Sequence, residues 1–71
     1  GYKHLFCIGN HIVAVDDAGA MYAAGFSDDF VLGELKRVSA GWDIYDKMFP
    51  CEDKLIVVDE TGEMYRLEVE L

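Results

Sequence analysis

Four side chains have the chemistry to hold a soft metal ion: His4, Cys7, His11 and Cys51. Zinc sites usually draw two ligands from a close pair such as Cys-x-x-Cys, because a short turn aims both thiolates at one ion. Neither cysteine has such a neighbour, and His4 and Cys7 would project from opposite sides of a regular strand. A Cys/His nucleophile drawn from the same residues has nothing beside it to orient the imidazole or to hold an oxyanion. The four therefore read as ordinary core thiols and surface imidazoles, and no metal, cofactor or enzymatic activity is expected.

Carboxylates are the abundant resource. They form adjacent pairs at Asp16-Asp17, Asp28-Asp29, Glu52-Asp53 and Asp59-Glu60, with Asp43 and Asp46 close together. Paired carboxyls cleave glycosides only when they flank a deep cleft, which a chain of 71 residues can hardly enclose. Calcium loops alternate their carboxylates in a fixed order, and neither the Asp16–Gly19 nor the Asp59–Gly62 stretch supplies it. Two readings stay open. Turns favour Asp, and acidic residues keep strand edges apart. The sharper reading is mimicry, in which a rigid scaffold of carboxylates imitates a phosphate backbone and occupies a basic groove, associating fast and salt-sensitively. Its partner-binding residues would be Asp16, Asp17, Asp28, Asp29, Glu52, Asp53, Asp59 and Glu60.

Composition narrows the classes further. Fourteen acidic against six basic residues give a net charge of −8, which repels nucleic acid and anionic lipid, so direct binding to either is not expected. With 52% hydrophobic residues the chain is too apolar to stay disordered. A chain this short hides only about 60% of its unfolded surface, so an oligomer or partner would help its stability. No apolar run reaches the ~20 residues of a membrane span, and the opening residues lack a signal peptide's apolar region. Two cysteines are too few for a disulfide framework, which together with the missing signal suggests the reducing cytoplasm. Gly1 ahead of Tyr2 reads as a protease scar in place of an initiator Met, on a nearly whole gene product.

The elements that must carry these residues come as a repeat. At an offset of 43, residues 2–26 lie on residues 45–69 without a gap, with seven identities: Tyr2/Tyr45, Phe6/Phe49, Val15/Val58, Asp16/Asp59, Gly19/Gly62, Met21/Met64 and Tyr22/Tyr65. In each copy a β-branched run meets an acidic turn ending in Gly, and a second run follows. Asp at the first turn position can accept backbone N–H groups, and Gly at the fourth can adopt positive φ, so each copy predicts a hairpin. A short strand before each hairpin completes a three-stranded meander, with Pro50 marking an edge or a bulge. The final run places Tyr65, Leu67, Val69 and Leu71 on one buried side and Arg66, Glu68 and Glu70 on a wet one. Between the copies, Ser27 to Ile44 fits either a short helix capped by Ser27 or a loop leading into a strand over 34–40; Gly33 and Val38 favour the strand. Trp42 reads as a core plug rather than an exposed anchor, and Tyr22 and Tyr65 as structural.

The stretch from Val13 to Asp43 resembles a repeat of the regulator-of-chromosome-condensation type of β-propeller, through Gly19, Met21-Tyr22, Gly25, Leu32-Gly33 and Val38-Ser39-Ala40-Gly41. Ala24 stands where that family usually has Trp, and Glu68 replaces the Gly of the second copy. The resemblance implies blade-like meanders and binding of proteins through loops, and carries no catalytic residue. The expected fold is thus a single all-β domain of two pseudo-repeated three-stranded antiparallel meanders forming a small sandwich or barrel. The expected function is a non-enzymatic inhibitor or adaptor, phage or mobile-element encoded, that docks on the basic surface of a larger, nucleic-acid-handling protein complex. The alternative is a homo-oligomerising blade module that binds ligand or protein between blades.

Overall fold

The two β-branched runs become the central strands of two antiparallel sheets in the computed structural model, which describes residues 1–27, 29 and 31–71. The first sheet has the order β1 (Tyr2–Ile8), β2 (His11–Asp16), β3 (Met21–Gly25), β4 (Lys36–Ser39). The second has the order β5 (Tyr45–Cys51), β6 (Lys54–Asp59), β7 (Met64–Glu68). Among the described residues there is no α-helix, so the chain is a small all-β protein. The connector gives a strand, shorter than the expected 34–40, and this strand joins β3 and makes the first sheet four-stranded rather than three-stranded. A single 3-10 turn, Trp42–Ile44, follows Gly41, whose φ of 87° is left-handed.

The two meanders match strand for strand. Tyr2 faces Asp16 and Phe6 faces Val13 in the first; Tyr45 faces Asp59 and Phe49 faces Ile56 in the second, each pair offset by the same 43 residues. Both first strands carry a bulge at the same place, between Tyr2 and His4 and between Tyr45 and Lys47. Pro50, which has no N–H to donate, lies on the edge strand β5.

Strand alternation gives each sheet a front and a back. The front of the first sheet carries His4, Phe6, Ile8, Val13, Val15, Met21 and Ala23; its back carries Leu5, Cys7, Ile12, Ala14, Tyr22 and Ala24. The core joins front to back: Ile8, Val13, Val15, Met21 and Ala23 from the front of the first sheet cluster with Met48, Leu55 and Val57 from the back of the second. The shortest dimension of the molecule, 16 Å, suits two layers stacked about 10 Å apart. Contact between the sheets runs mainly through the edge strands β1 and β5. Trp42, expected as a core plug, is only half-buried against this core, and its Nε1–H donates to Ser39 Oγ at 2.8 Å.

The buried side expected of the last run is only half realised. Leu67 and Val69 pack on the core, but Tyr65 and Leu71 stay exposed because β7 is an edge strand whose ladder ends at Glu68. By contrast β3 is buried on both sides, with Met21 and Ala23 in front and Ala24 behind, as its small apolar residues require.

One residue sits against its preference. The first hairpin loop places Gly9 at φ 57°, and the second places Glu52, its repeat equivalent, at φ 56°. A Cβ disfavours that conformation, so Glu52→Gly should raise stability by about 0.5–1 kcal/mol, the relieved strain less the added freedom of the unfolded chain. Urea unfolding of the variant would read this as a higher midpoint at unchanged slope.

Candidate functional site

Each acidic turn is locked by its own aspartate. Asp16 Oδ1 accepts the backbone N–H groups of Ala18 at 3.0 Å and Ala20 at 2.9 Å, and Tyr22 Oη–H reaches Oδ2 at 3.3 Å. Asp59 Oδ1 accepts from Thr61 N at 2.9 Å and Glu63 N at 3.0 Å, and Tyr65 Oη–H reaches its Oδ2 at 3.3 Å. The turns close identically, with Gly19 N and Gly62 N donating to the Asp16 and Asp59 carbonyls at 3.1 Å, and φ values of 87° and 90° at the two glycines. These bonds hold both carboxyls below the usual carboxylate range; the Ala20 N–H contributes most at Asp16, and the Thr61 hydroxyl most at Asp59.

A depressed carboxyl stabilises the fold above its unfolded pKa, and that contribution disappears as pH falls through the folded value. Asp59→Asn keeps an acceptor oxygen but removes the charge. The wild type should therefore exceed the variant in stability at neutral pH, and the gap should close below the ordinary Asp pKa of about 4. Urea unfolding at neutral and acid pH measures that gap; a gap constant with pH would contradict the lock.

The lock builds a recess beside each turn. The larger, about 460 Å³, is lined by Ile44, Tyr45, Tyr65 and Leu67. Asp59, Glu60 and Thr61 complete its lining. The smaller, about 290 Å³, is lined by Gly1, Tyr2, Asp16 and Tyr22. Both contain the same Tyr–Asp–Tyr set, Tyr45/Asp59/Tyr65 and Tyr2/Asp16/Tyr22, offset by 43 residues. Tyr2 and Tyr22 meet edge-on with ring centroids 6.0 Å apart. In the larger recess Tyr65 Oη–H donates to Glu63 Oε2 at 2.6 Å. That bond, loss of hydration and the negative charges of Glu63 and Asp59 push the Tyr65 phenol up to about 12, so it is a neutral donor at physiological pH.

The other sequence-derived candidates are scattered. Asp17, Asp29 and the adjacent Glu52 and Asp53 are exposed on three different loops, Asp53 lies 3.5 Å from Lys54, and Asp28 falls outside the described residues. Cys7 and Cys51 are exposed free thiols. His4 points into the core side, where burial first and Lys3 second lower its pKa against a smaller opposing effect of Asp46. Among the described residues no group of three His, Cys, Asp or Glu is placed to share a metal ion. Reading the sequence missed Tyr45, Ile44 and Leu67 and assigned Tyr65 to structure alone. The signal was there in the repeat, since both flanking tyrosines recur with the turn aspartate.

No family model, curated protein or solved structure matches the chain.

Proposed function

We propose that the chain is a non-enzymatic acidic binding module that docks on a basic protein surface, with the recess of Tyr45, Asp59, Glu60 and Tyr65 as its anchor point. The observation that carries this reading is the composition of that recess: two tyrosines, Ile44 and Leu67 line it together with the carboxylates of Asp59 and Glu60. A lysine or arginine side chain matches it, because the aliphatic stem packs on Leu67 and the rings while the cation meets ring faces and carboxylates. Glu60 is exposed, and among the described residues it has no ion-pair partner, so its charge is available. The net charge of −8 adds long-range attraction for such a partner and makes the association salt-sensitive. An inhibitor or adaptor acting by occupying a basic groove fits these properties.

The test is an NMR titration with a short oligo-arginine peptide at low and high salt. Saturable shifts centred on Tyr45, Tyr65 and Glu60, weakened by salt and by Glu60→Gln, support the reading. Shifts spread evenly over every acidic loop, or none at low salt, would overturn it.

A further inference from the structure

We infer that the free edge of β7 takes an extended basic segment of a partner protein as a fourth strand, which sets one of its cations in the Tyr45/Asp59/Tyr65 recess. The inference rests on the acidic-recess reading and adds to it how the partner's backbone is held.

The bonding direction along β7 follows from the turn before it. Asp59 N donates to the Glu63 carbonyl at 3.0 Å. Antiparallel ladders alternate bonded and non-bonded pairs. Tyr65 and Leu67 therefore turn their N–H and C=O groups toward β6, and Met64, Arg66 and Glu68 turn theirs away from it. β7 is the last strand of its sheet, and among the described residues no backbone group bonds those outward groups.

The first meander shows what such an edge accepts. Its turn has the same bond, Asp16 N to the Ala20 carbonyl at 3.0 Å, so the equivalent outward groups belong to Met21, Ala23 and Gly25. There they are engaged. Met21 pairs with Ser39 and Ala23 with Lys36 of β4, and the Gly25 carbonyl accepts the Gly33 N–H at 2.8 Å. β4 is basic, Lys36-Arg37-Val38-Ser39, and its Arg37 stands opposite Tyr22 of the smaller recess, on the same face of the sheet. By the offset of 43, a strand on β7 puts one residue opposite Tyr65, on the side of the larger recess, where Asp59 and Glu60 complete the lining.

Charge selects the occupant. Residues 59–71 carry five carboxylates against a single cation, Arg66. Such an edge repels the β7 of a second copy and attracts a basic strand. In strand addition the backbone supplies the ladder and alternate side chains supply the selection. Front-facing residues of the added strand lie beside Met64 and Arg66, which suits an apolar side chain and disfavours another cation. The preferred segment thus alternates, with cations toward the recess and apolar residues toward the front.

The test adds a short peptide of alternating arginine and valine to the whole chain and follows amide hydrogen exchange by NMR. Protection should rise at Met64, Arg66 and Glu68, while Tyr65 and Leu67, already bonded to β6, change little. N-methylation of the valines, whose N–H groups face β7, keeps the peptide's charge and should weaken binding by at least about tenfold. Shifts at Tyr65 and Glu60 without protection of the three amides, or equal affinity of the N-methylated peptide, would overturn strand addition and leave the recess reading standing. Protection along Lys36–Ser39 instead would place the peptide on the edge of β4 and overturn the inference. Protection of the three amides without peptide, growing with protein concentration, would assign the edge to a second copy and overturn a basic partner. No binding at all would sink both readings.

Discussion

Met21→Ala should cost about 2–5 kcal/mol, the range for emptying a fully buried large side chain, whereas Met64→Ala should change stability by no more than about 0.5 kcal/mol. The two methionines occupy the same place in the repeat, on the front of a third strand, paired with Val15 and Val58 respectively. Sequence equivalence alone assigns them the same weight. The fold does not, because Met21 is 0% exposed within the shared core and Met64 is 68% exposed on the free front. A domain of this size has a total stability of about 4–11 kcal/mol, so the first substitution removes a large share of it. Urea midpoints of the two variants measure the difference. Equal costs at the two positions would mean that the sheets do not stack front to back.

Gly19→Ala should be the second large loss, about 2–4 kcal/mol, against about 1 kcal/mol for Gly62→Ala. Both glycines have a left-handed φ in the same aspartate-locked turn, so both variants incur the cost of placing a Cβ there. Only Gly19 is covered. A Cβ on it would lie 2.6 Å from the Asp43 backbone N and 2.8 Å from the Asp43 Cβ, while the equivalent space at Gly62 is open. The Gly19 carbonyl also accepts the Trp42 N–H at 3.0 Å, so an added methyl pushes the 3-10 turn away from the hairpin it caps. Trp42, half-buried against the core, would loosen with it. Thermal unfolding followed by tryptophan fluorescence reads both effects. A Gly62→Ala loss as large as that of Gly19→Ala would show that φ alone governs the turn.

Much of this architecture is legible in the residues. The offset of 43, the Asp and Gly of each turn and the proline at an edge define two hairpins with a preceding strand, because each is a local rule of backbone geometry. The front-to-back stacking is not local. Both sides of the first copy are apolar, Val13 and Val15 in front, Ile12 and Ala14 behind, so alternation alone does not say which side meets the second copy. The fourth strand was half legible: Gly33 and Val38 oppose a helix, but pairing of Tyr22 with Arg37 depends on how the connector returns to β3. At the candidate site, Asp59 and Glu60 were visible as acidic turn residues. The recess was hidden because it depends on Tyr65 turning its hydroxyl to Asp59 and Glu63, a contact six residues along the chain in one case and two in the other.

The front-to-back core is best tested by methyl NOE spectroscopy on the dilute protein. Val13 and Val15 should show cross-peaks to the methyls of Leu55 and Val57, and none to those of Ile56 and Val58. Cross-peaks to Ile56 and Val58 instead, or no contacts between the two sheets, would contradict the front-to-back fold.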